Sequence, residues 1–335
     1  MLSRLLLSDV AYCERMATVI GFHASHELYA PGELLELTKL AQKSGFEAAS
    51  CSDHFNPWST DGQSGYAWSW LGAAMEAIPL TFGTVCAPGQ RYHPAIIAQA
   101  SATLAQMYPG RFWLAVGTGQ NLNEHITGDA WPSKEKRQQR LFECVNIIRQ
   151  LWAGDTVFHE GLIRVENARL YTLPEEPPKL FGAAITDETA EWVGSWADGL
   201  LTVAKPPEDL AKTVAAFRRG GGEGKPMRLQ AAVSLDKSEE IAEVAAYRHW
   251  GVACLKVGQI QDIATPEEFD HMVAGHQPEE VCEKLRVSAD IDQHAEWIRN
   301  DLEAGFEAVY LHYVGKGIKR FIETFAHEVL PKFIS

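Results

Sequence analysis

The sequence has little positive charge, and its N-terminal apolar run is short. The 335 residues include 30 lysines and arginines against 44 aspartates and glutamates, a formal net charge of -14. Nucleic-acid-binding proteins carry a basic footprint that this chain lacks, so we expect no nucleic-acid partner. The run LLL near the N-terminus is far too short to span a membrane, and no small-residue cleavage site follows it. We therefore expect a cytoplasmic protein without a membrane partner, in which residues 1–15 form an N-terminal extension to a domain over 16–335.

The cysteines form no pattern typical of a metal site or a disulfide framework. None of the six belongs to a CxxC pair, and several lie in apolar segments. No His or Cys pair with ligand spacing is backed by a second pair, so we expect no metal. Reduced, buried thiols are the state that we expect in a cytosolic protein.

Two phosphate-binding fingerprints are absent. A doubly wound dinucleotide-binding sheet would carry GxGxxG after its first strand, where this chain has GFHASHE. The glycine run RRGGGEGKP at 218–226 lacks the Walker spacing, because Pro226 follows Lys225. We interpret this run as a helix end and a turn, since glycine adopts the left-handed cap conformation at low cost.

Short apolar runs alternate with longer segments of helical periodicity along the chain. The predicted strands lie at 18–22, 47–52, 80–87, 111–119, 178–184, 199–204, 227–235 and 308–314. Eight strands separated by helices, without a repeat of fixed period, predict an α/β fold that is a single (β/α)8 TIM barrel with insertions. The run 156–172 alternates like a hairpin insertion, and 236–289 is predicted to be helical and polar.

Polar side chains follow the predicted strands, whereas the strands themselves are apolar. Barrel enzymes build their sites at the C-terminal ends of strands, so these residues are the site candidates. The candidates at or near the strand ends are His23, Glu27, Asp53, His54, Trp58, Thr84, Val85, Cys86, Gly119, Gln120, Asn123, Ala183, Ala184, Thr186, Lys205 and His312. Such an asymmetry between strands and strand ends is what an active face requires.

His54 is the sharpest of these candidates, because histidine can transfer a proton near neutral pH. Adjacent strand residues point to opposite faces, so Asp53 need not contact His54. The alternative is that Asp53 and His54 only begin a turn and that His54 is solvated. Trp58 belongs to an aromatic loop that could stack on a flat conjugated ring or simply pack as a lid.

Three further candidates also have two interpretations. The turn GTGQNLNEH could let a ligand approach the backbone near Gly119, or it could be an ordinary tight turn. Lys205 could hold an anionic group or be solvated. His312 lies within an alternating strand, where a hydrogen-bonded core histidine and a ligand-binding histidine fit the pattern equally well.

Four motifs occur in a fixed order: SDHF-x-PW after the second strand, GT-x(3)-P after the third, RY-x-PA-IIAQA opening the next helix, and GTG-x-x-LNE after the fourth strand. With these motifs the chain resembles the luciferase-like flavin oxidoreductases, in the branch of the deazaflavin-dependent glucose-6-phosphate dehydrogenases, from Thr18 to Phe333. The resemblance implies a TIM barrel, usually dimeric, with a flavin or coenzyme F-420 across its C-terminal face. It also implies a non-proline cis peptide within Thr84–Cys86.

The same resemblance implies roles for the candidate residues. Catalytic positions, with His54 transferring the proton, are taken by His54, Gln120 and Glu27. Substrate positions are taken by Trp58, Lys205 and His23. Cofactor positions are taken by Asp53, Thr84, Val85, Cys86, Gly119, Asn123, Ala183, Ala184 and Thr186. Thr186 opens a helix, and a helix N-terminus suits the cofactor's phosphate on physical grounds as well.

The chain departs from the dehydrogenases at two positions. Gln120 stands where they carry a glutamate proposed as an acid, and glutamine cannot exchange a proton in that role. A lysine that holds the sugar phosphate in the family aligns near His271. Glucose-6-phosphate oxidation is therefore disfavoured, and the wording GFHASHE and VCAPGQRYHPAIIAQA resembles a side branch that uses FMN.

We therefore expect an oxidoreductase that acts on a small organic substrate with reduced FMN. It would be a monooxygenase with a partner flavin reductase or a two-electron reductase. The alternative is a coenzyme F-420-dependent dehydrogenase or reductase, in which hydride moves between the coenzyme and an alcohol or sugar phosphate. A third hypothesis is a flavin-binding barrel without turnover. A homodimer is expected from the resemblance alone.

Overall fold

Eight parallel strands close into a barrel in the computed structural model, which describes residues 18–315 and 317–333. In chain order the strands are β1 (Val19–Ala24), β2 (Ala48–Ser52), β3 (Thr81–Cys86), β4 (Phe112–Val116), β5 (Val157–Glu160), β6 (Arg164–Ala168), β7 (Lys179–Ala183), β8 (Gly199–Val203), β9 (Met227–Ser234), β10 (Arg286–Val287) and β11 (Ala308–Tyr313). The α-helices are α1 (Pro31–Lys43), α2 (Ala67–Ala77), α3 (Pro94–Met107), α4 (Asn121–Glu124), α5 (Lys134–Trp152), α6 (Asp187–Gly194), α7 (Pro207–Phe217), α8 (Glu239–Trp250), α9 (Val257–Asp262), α10 (Pro266–Val273), α11 (Ile291–Glu303) and α12 (Ile318–Glu328). Shorter 3-10 turns lie at His125–Thr127, Gly251–Cys254, Pro278–Glu283 and Leu330–Lys332, and a π-turn lies at Arg218–Gly222.

The barrel closes because β9 pairs with both β8 and β11. Around the wall the order is β9, β11, β1, β2, β3, β4, β7, β8 and back to β9. The TIM barrel predicted from the alternating pattern is confirmed. The antiparallel pair of β5 and β6 forms the predicted hairpin. The strand β10, which adds to β9, was not predicted, because two residues are too few to show a periodicity.

Local capping chemistry starts the helices that follow the barrel strands. The Thr186 side chain accepts a hydrogen bond from the Thr189 N–H at 3.3 Å and caps α6. Pro94 opens α3, where its missing N–H needs no partner. These two residues mark the points at which the chain turns into α6 and α3.

Aromatic side chains and one arginine fill the N-terminal half of the barrel interior. Trp113 on β4 and Phe181 on β7 pack edge to face, with ring centroids 5.4 Å apart. The Arg228 guanidinium lies over both rings, 4.7 Å and 4.3 Å from their centroids, and donates to Glu307 Oε1 at 2.9 Å. Gly83 makes room for the indole, since a Cβ there would lie 1.8 Å from Trp113. The packed half leaves the C-terminal strand ends for a ligand.

Two expectations from the sequence concern a cis peptide bond in β3 and an N-terminal extension. No cis peptide bond occurs among residues 18–315 and 317–333, so the prediction of one within Thr84–Cys86 is wrong. The parallel register of β3 continues unbroken against β2 and β4 through these residues. Nothing in that regular pairing would offset the cost of about 2.5–4 kcal/mol for a non-proline cis bond. The predicted extension at 1–15 lies outside the described residues. Within them, no helix has the length and apolarity needed to cross a membrane.

The close approach of Trp113 to the backbone of β3 predicts that Gly83→Ala destabilises the barrel. A methyl group would overlap the buried indole, and overpacking of this kind costs about 1–3 kcal/mol. Urea unfolding followed by circular dichroism measures the loss. The matched control is Gly72→Ala within α2, where a Cβ meets nothing within 4 Å. There the same substitution should raise the free energy of unfolding by up to about 1 kcal/mol. Equal stability of the two variants would contradict the packing argument.

Candidate active site

A buried carboxylate and a histidine form the centre of the site. Nδ1 of His54, which follows β2, lies 3.0 Å from Oε1 of Glu27, which follows β1. The other carboxylate oxygen of Glu27 accepts a hydrogen bond from the Ser25 hydroxyl at 2.8 Å. Burial alone would raise the pKa of Glu27, but the charge and hydrogen bond of His54 outweigh burial and lower this pKa well below its usual range. The carboxylate therefore stays charged and orients the imidazole.

One aromatic side chain contacts the His54 ring, and two more pack on that side chain. Trp58 packs edge to face on His54, with ring centroids 5.2 Å apart. Phe269 of α10 and Trp250 of α8 pack on Trp58 at 5.2 Å and 6.1 Å. Sequence reasoning missed Trp250 and Phe269, because they lie in the segment 236–289, which carries no strand signal to place them at the barrel mouth. The wall gives the pocket an apolar side.

Two more histidines lie near the C-terminal ends of barrel strands β1 and β11. His23 on β1 and His312 on β11 are both buried, with ring centroids 4.6 Å apart. Nδ1 of His23 lies 3.0 Å from the Ser50 hydroxyl. Burial lowers the pKa of His312 to about 4 and lowers that of His23 well below its usual value. Both rings are therefore neutral at physiological pH.

An arginine network fixes the opposite edge of the site. Arg91 donates from Nη2 to the backbone oxygen of Asp53 at 2.8 Å and lies 3.4 Å from its Oδ2. The Arg91 backbone N–H donates to Glu124 Oε2 at 2.8 Å. Burial raises the pKa of Asp53 although Arg91 opposes this, and the buried Oδ1 has no hydrogen-bond partner. The sequence alone assigns no role to Arg91, although this residue belongs to the motif RY-x-PA. Its burial between two acids in the structure marks it as part of the site.

Asn123 holds the loop that carries His54. Its Oδ1 accepts hydrogen bonds from the N–H groups of Phe55 and Asn56 at 2.8 Å and 3.1 Å. Its amide nitrogen lies 3.5 Å from Oε1 of Gln120, the residue just before α4. The predicted hydrogen bond from Asn123 to a cofactor ring would have to use the amide nitrogen, because the oxygen is already engaged.

Lys205 and Thr186 meet at the N-terminus of α6. The Lys205 ammonium donates to the backbone oxygen of Ile185, directly before the cap Thr186, and to the Thr213 hydroxyl at 2.8 Å. Thr213 in turn donates to Asp187 Oδ1 at 2.6 Å. The structure thus groups Lys205 with the helix terminus predicted for a cofactor phosphate, and apart from the contacts around His54.

The remaining cofactor candidates lie at three other strand ends. Gly119 has a φ of 82°, which favours glycine, and a Cβ there would lie 3.1 Å from Glu124. Thr84 and Cys86 on β3 are buried and Val85 is half-buried. At the end of β7, Ala183 is half-buried and Ala184 is buried. These positions carry small or medium-sized side chains, none of them charged.

A known protein family matches most of this chain. The sequence pattern described as luciferase-like monooxygenase matches residues 15–308. The chain belongs to the luciferase-like family. It is an oxidoreductase of that family, as the relatives below also indicate.

Three proteins that are similar to this luciferase-like protein carry coenzyme F-420 in their names. It is 36% identical to an F-420-dependent glucose-6-phosphate dehydrogenase of Nakamurella multipartita, over 93% of this chain and 95% of that protein. It is similar to the structure of an F-420-dependent secondary alcohol dehydrogenase in complex with an F-420-acetone adduct, with a TM-score of 0.89, 33% identity, and 96% and 100% of the two chains covered. The coenzyme F-420-dependent tetrahydromethanopterin reductase of Methanopyrus kandleri shares the fold, with a TM-score of 0.74, 21% identity, and 95% and 99% covered.

His26 gives this luciferase-like protein a measurable pH dependence of stability. The ring is buried edge-on against Trp70, its nitrogens have no hydrogen-bond partner, and burial lowers its pKa to about 4. Below about pH 6.5 His26 binds a proton in the unfolded chain but not in the folded chain. The free energy of unfolding therefore falls as the pH drops toward 4. His26→Gln should reduce the loss of unfolding free energy between pH 7 and pH 5 by about 1–2 kcal/mol, measured by urea titration.

The control for this measurement is His327→Gln, at an exposed position near the end of α12. It should lose as much stability as the unmodified protein over the same pH range. If His26→Gln also follows the unmodified protein, the buried ring of His26 is not a source of the pH dependence.

Proposed function

We propose that this protein is a coenzyme F-420-dependent dehydrogenase that interconverts a small uncharged alcohol and its carbonyl compound. The observation that carries the proposal is the 3.0 Å contact between His54 and the buried Glu27, at the mouth of the barrel and beside an aromatic wall. Such a pair can accept a proton from a substrate hydroxyl. The dehydrogenase of Nakamurella multipartita and the secondary alcohol dehydrogenase, both more than 30% identical and both named for coenzyme F-420, support the choice of coenzyme.

The residues at the barrel mouth fit a flat coenzyme with a phosphate group. Asp53 offers an unpartnered buried oxygen toward a ring with N–H donors, and the small residues at the end of β7 leave room for its plane. The N-terminus of α6, with Thr186 and Lys205, suits the phosphate. FMN would meet the same donors, so the sequence-based preference for FMN stays a hypothesis that the comparisons support less well than its alternative. A partner flavin reductase is tied to that hypothesis.

In the proposed mechanism this chain binds the alcohol and moves its proton. Nδ1 of His54 faces Glu27, so Nε2 is the nitrogen left to accept the proton from the hydroxyl oxygen. The negative charge of Glu27 stabilises the imidazolium that forms. When bound, the coenzyme would accept the hydride from the carbinol carbon, which leaves the carbonyl product. Trp58 and Phe269 shield the pair from water and so strengthen its electrostatics.

The contacts around His54 favour an uncharged substrate over a sugar phosphate. The side chains joined to it by ring or ion-pair contacts include neither lysine nor arginine. Arg91 is engaged by two acids, Lys205 lies at the N-terminus of α6, where the proposal assigns it to the coenzyme phosphate, and His271 is exposed on α10. Gln120, in place of the family glutamate, adds no acid. An anionic substrate would therefore find no free cation among these groups.

A surface of exposed apolar side chains bears on the assembly of the protein. We propose a cytoplasmic homodimer of a single domain over 16–335. Apolar side chains on and after the β5–β6 hairpin are exposed, with Phe158 at 69% and Tyr171 at 91% of their full area, and a second copy would cover such a surface. Light scattering on the purified protein measures the assembly directly.

The central test combines coenzyme binding with turnover of His54→Ala. The unmodified protein should gain thermal stability with coenzyme F-420 and should reduce the coenzyme in the presence of isopropanol, followed by the loss of its visible absorbance. His54→Ala should still bind the coenzyme but lose roughly 10²–10⁴ in turnover, because proton transfer is removed. His327→Ala, the exposed histidine on α12, is the matched control and should turn over normally.

Three other outcomes would contradict the proposal or favour another hypothesis. Stabilisation by FMN alone would move the FMN hypothesis to the front and direct the search to a reductase and to oxygen consumption. Full turnover in His54→Ala would refute the proton-transfer role. Stabilisation by neither coenzyme would favour the barrel without turnover.

A further inference from the structure

Two buried histidine nitrogens in this site have no partner and no part in the mechanism above. Nε2 of His23 and Nε2 of His312 are both buried and lack a hydrogen-bond partner. The two side chains are 2% and 1% exposed. Buried polar atoms are rarely left unpaired, because an unmade hydrogen bond of this kind costs about 1–3 kcal/mol. A buried pair at the active end of the barrel therefore points to a ligand.

The partner of the other ring nitrogen decides which hydrogen His312 presents. Nδ1 of His312 lies 3.3 Å from Nε2 of Gln230 on β9. An amide nitrogen only donates, so Nδ1 is the acceptor. The neutral ring then carries its hydrogen on Nε2, and this unpartnered atom is a hydrogen-bond donor. It suits a hydroxyl or carbonyl oxygen.

A continuous arc of rings joins this donor to the catalytic histidine. The centroid distances are 5.2 Å from His54 to Trp58, 6.1 Å from Trp58 to Trp250, and 4.4 Å from Trp250 to His312. His23 joins the same group of rings, because its ring centroid lies 4.6 Å from that of His312. A small molecule held along the arc would meet a proton acceptor at one end and a neutral donor at the other.

We propose that His23 and His312 bind a second, uncharged oxygen of the substrate, so that the enzyme selects small diols or hydroxycarbonyl compounds over simple alcohols. The reacting hydroxyl would lie at His54, and the neighbouring oxygen would accept from Nε2–H of His312. Neutral rings with nothing cationic between them discriminate against a carboxylate or phosphate at that position. The inference rests on the proposed function for its kinetic test, but its binding test does not.

The kinetic test compares two substrates that differ by one hydroxyl group, propylene glycol and isopropanol. With coenzyme F-420, the unmodified enzyme should show a kcat/KM at least about fivefold higher for propylene glycol, carried mainly by KM. His312→Phe keeps an aromatic ring and removes the donor, so the ratio of the two kcat/KM values should fall to about one. His312→Gln, which retains an N–H donor, should recover part of it.

The matched control is His294→Phe. His294 is another buried histidine with an unpartnered nitrogen, but it lies on α11 against Trp297 and Phe325. Its loss should perturb stability to a similar extent and leave the diol preference intact. No preference in the unmodified enzyme, or a preference that survives in His312→Phe, would overturn the proposal.

A binding measurement separates failure of this inference from failure of the proposed function. In protein labelled with ¹⁵N-histidine, the His312 signals should show a bare Nδ1 and a protonated Nε2, and propylene glycol should shift the Nε2 signal saturably and more than isopropanol does. That shift without any coenzyme turnover would uphold the histidine pair and refute the dehydrogenase. Turnover with no diol-dependent shift would instead mean that Nε2–H is satisfied by the face of Trp250, and the histidine pair would be refuted.

Discussion

The contact between His54 and Glu27 is the constraint on which the rest of the site depends. A carboxylate buried at the end of β1 is unfavourable unless a positive or hydrogen-bonding group faces it, and His54 at the end of β2 is that group. Because β1 and β2 are neighbours in the barrel, the loops that follow them, which carry Glu27 and His54, begin side by side. Ser25 and the loop held by Asn123 then fix each partner separately. The pair is thus positioned by two adjacent strand ends and by the hydrogen bonds that hold the loops after them.

The surroundings of this pair divide by chemistry. One side is aromatic, formed by Trp58 with Trp250 and Phe269. The opposite edge is ionic, with Arg91 between Asp53 and Glu124. The single guanidinium of Arg91 is shared by the two carboxylates, so it is not free to hold a further anion. A flat coenzyme and an uncharged substrate match these two environments better than a sugar phosphate does.

The barrel could be predicted because period and length distinguish its strands from its helices, even though β10, with two residues, escaped notice. The position of His54 followed from its place at a strand end, whereas the role of Glu27 came from family resemblance, since nothing in the local pattern links it to His54. Trp250 could not be predicted, because a residue on a helix far along the chain reaches the site only through the closure of the barrel. The cis peptide was carried over from the family and is wrong here, because β3 pairs regularly on both sides.

The filled N-terminal half of the barrel has a consequence for the order of events. Arg228, Trp113 and Phe181 fill that end, so within residues 18–315 and 317–333 His54 is approached from the end of the barrel where the strands finish. Everything that reaches His54 must enter and leave by the same mouth. Two ligands that share one doorway cannot exchange independently: the one seated deeper arrives first and departs last. An architecture of this kind imposes a compulsory sequence on binding and release, without any moving part to enforce it.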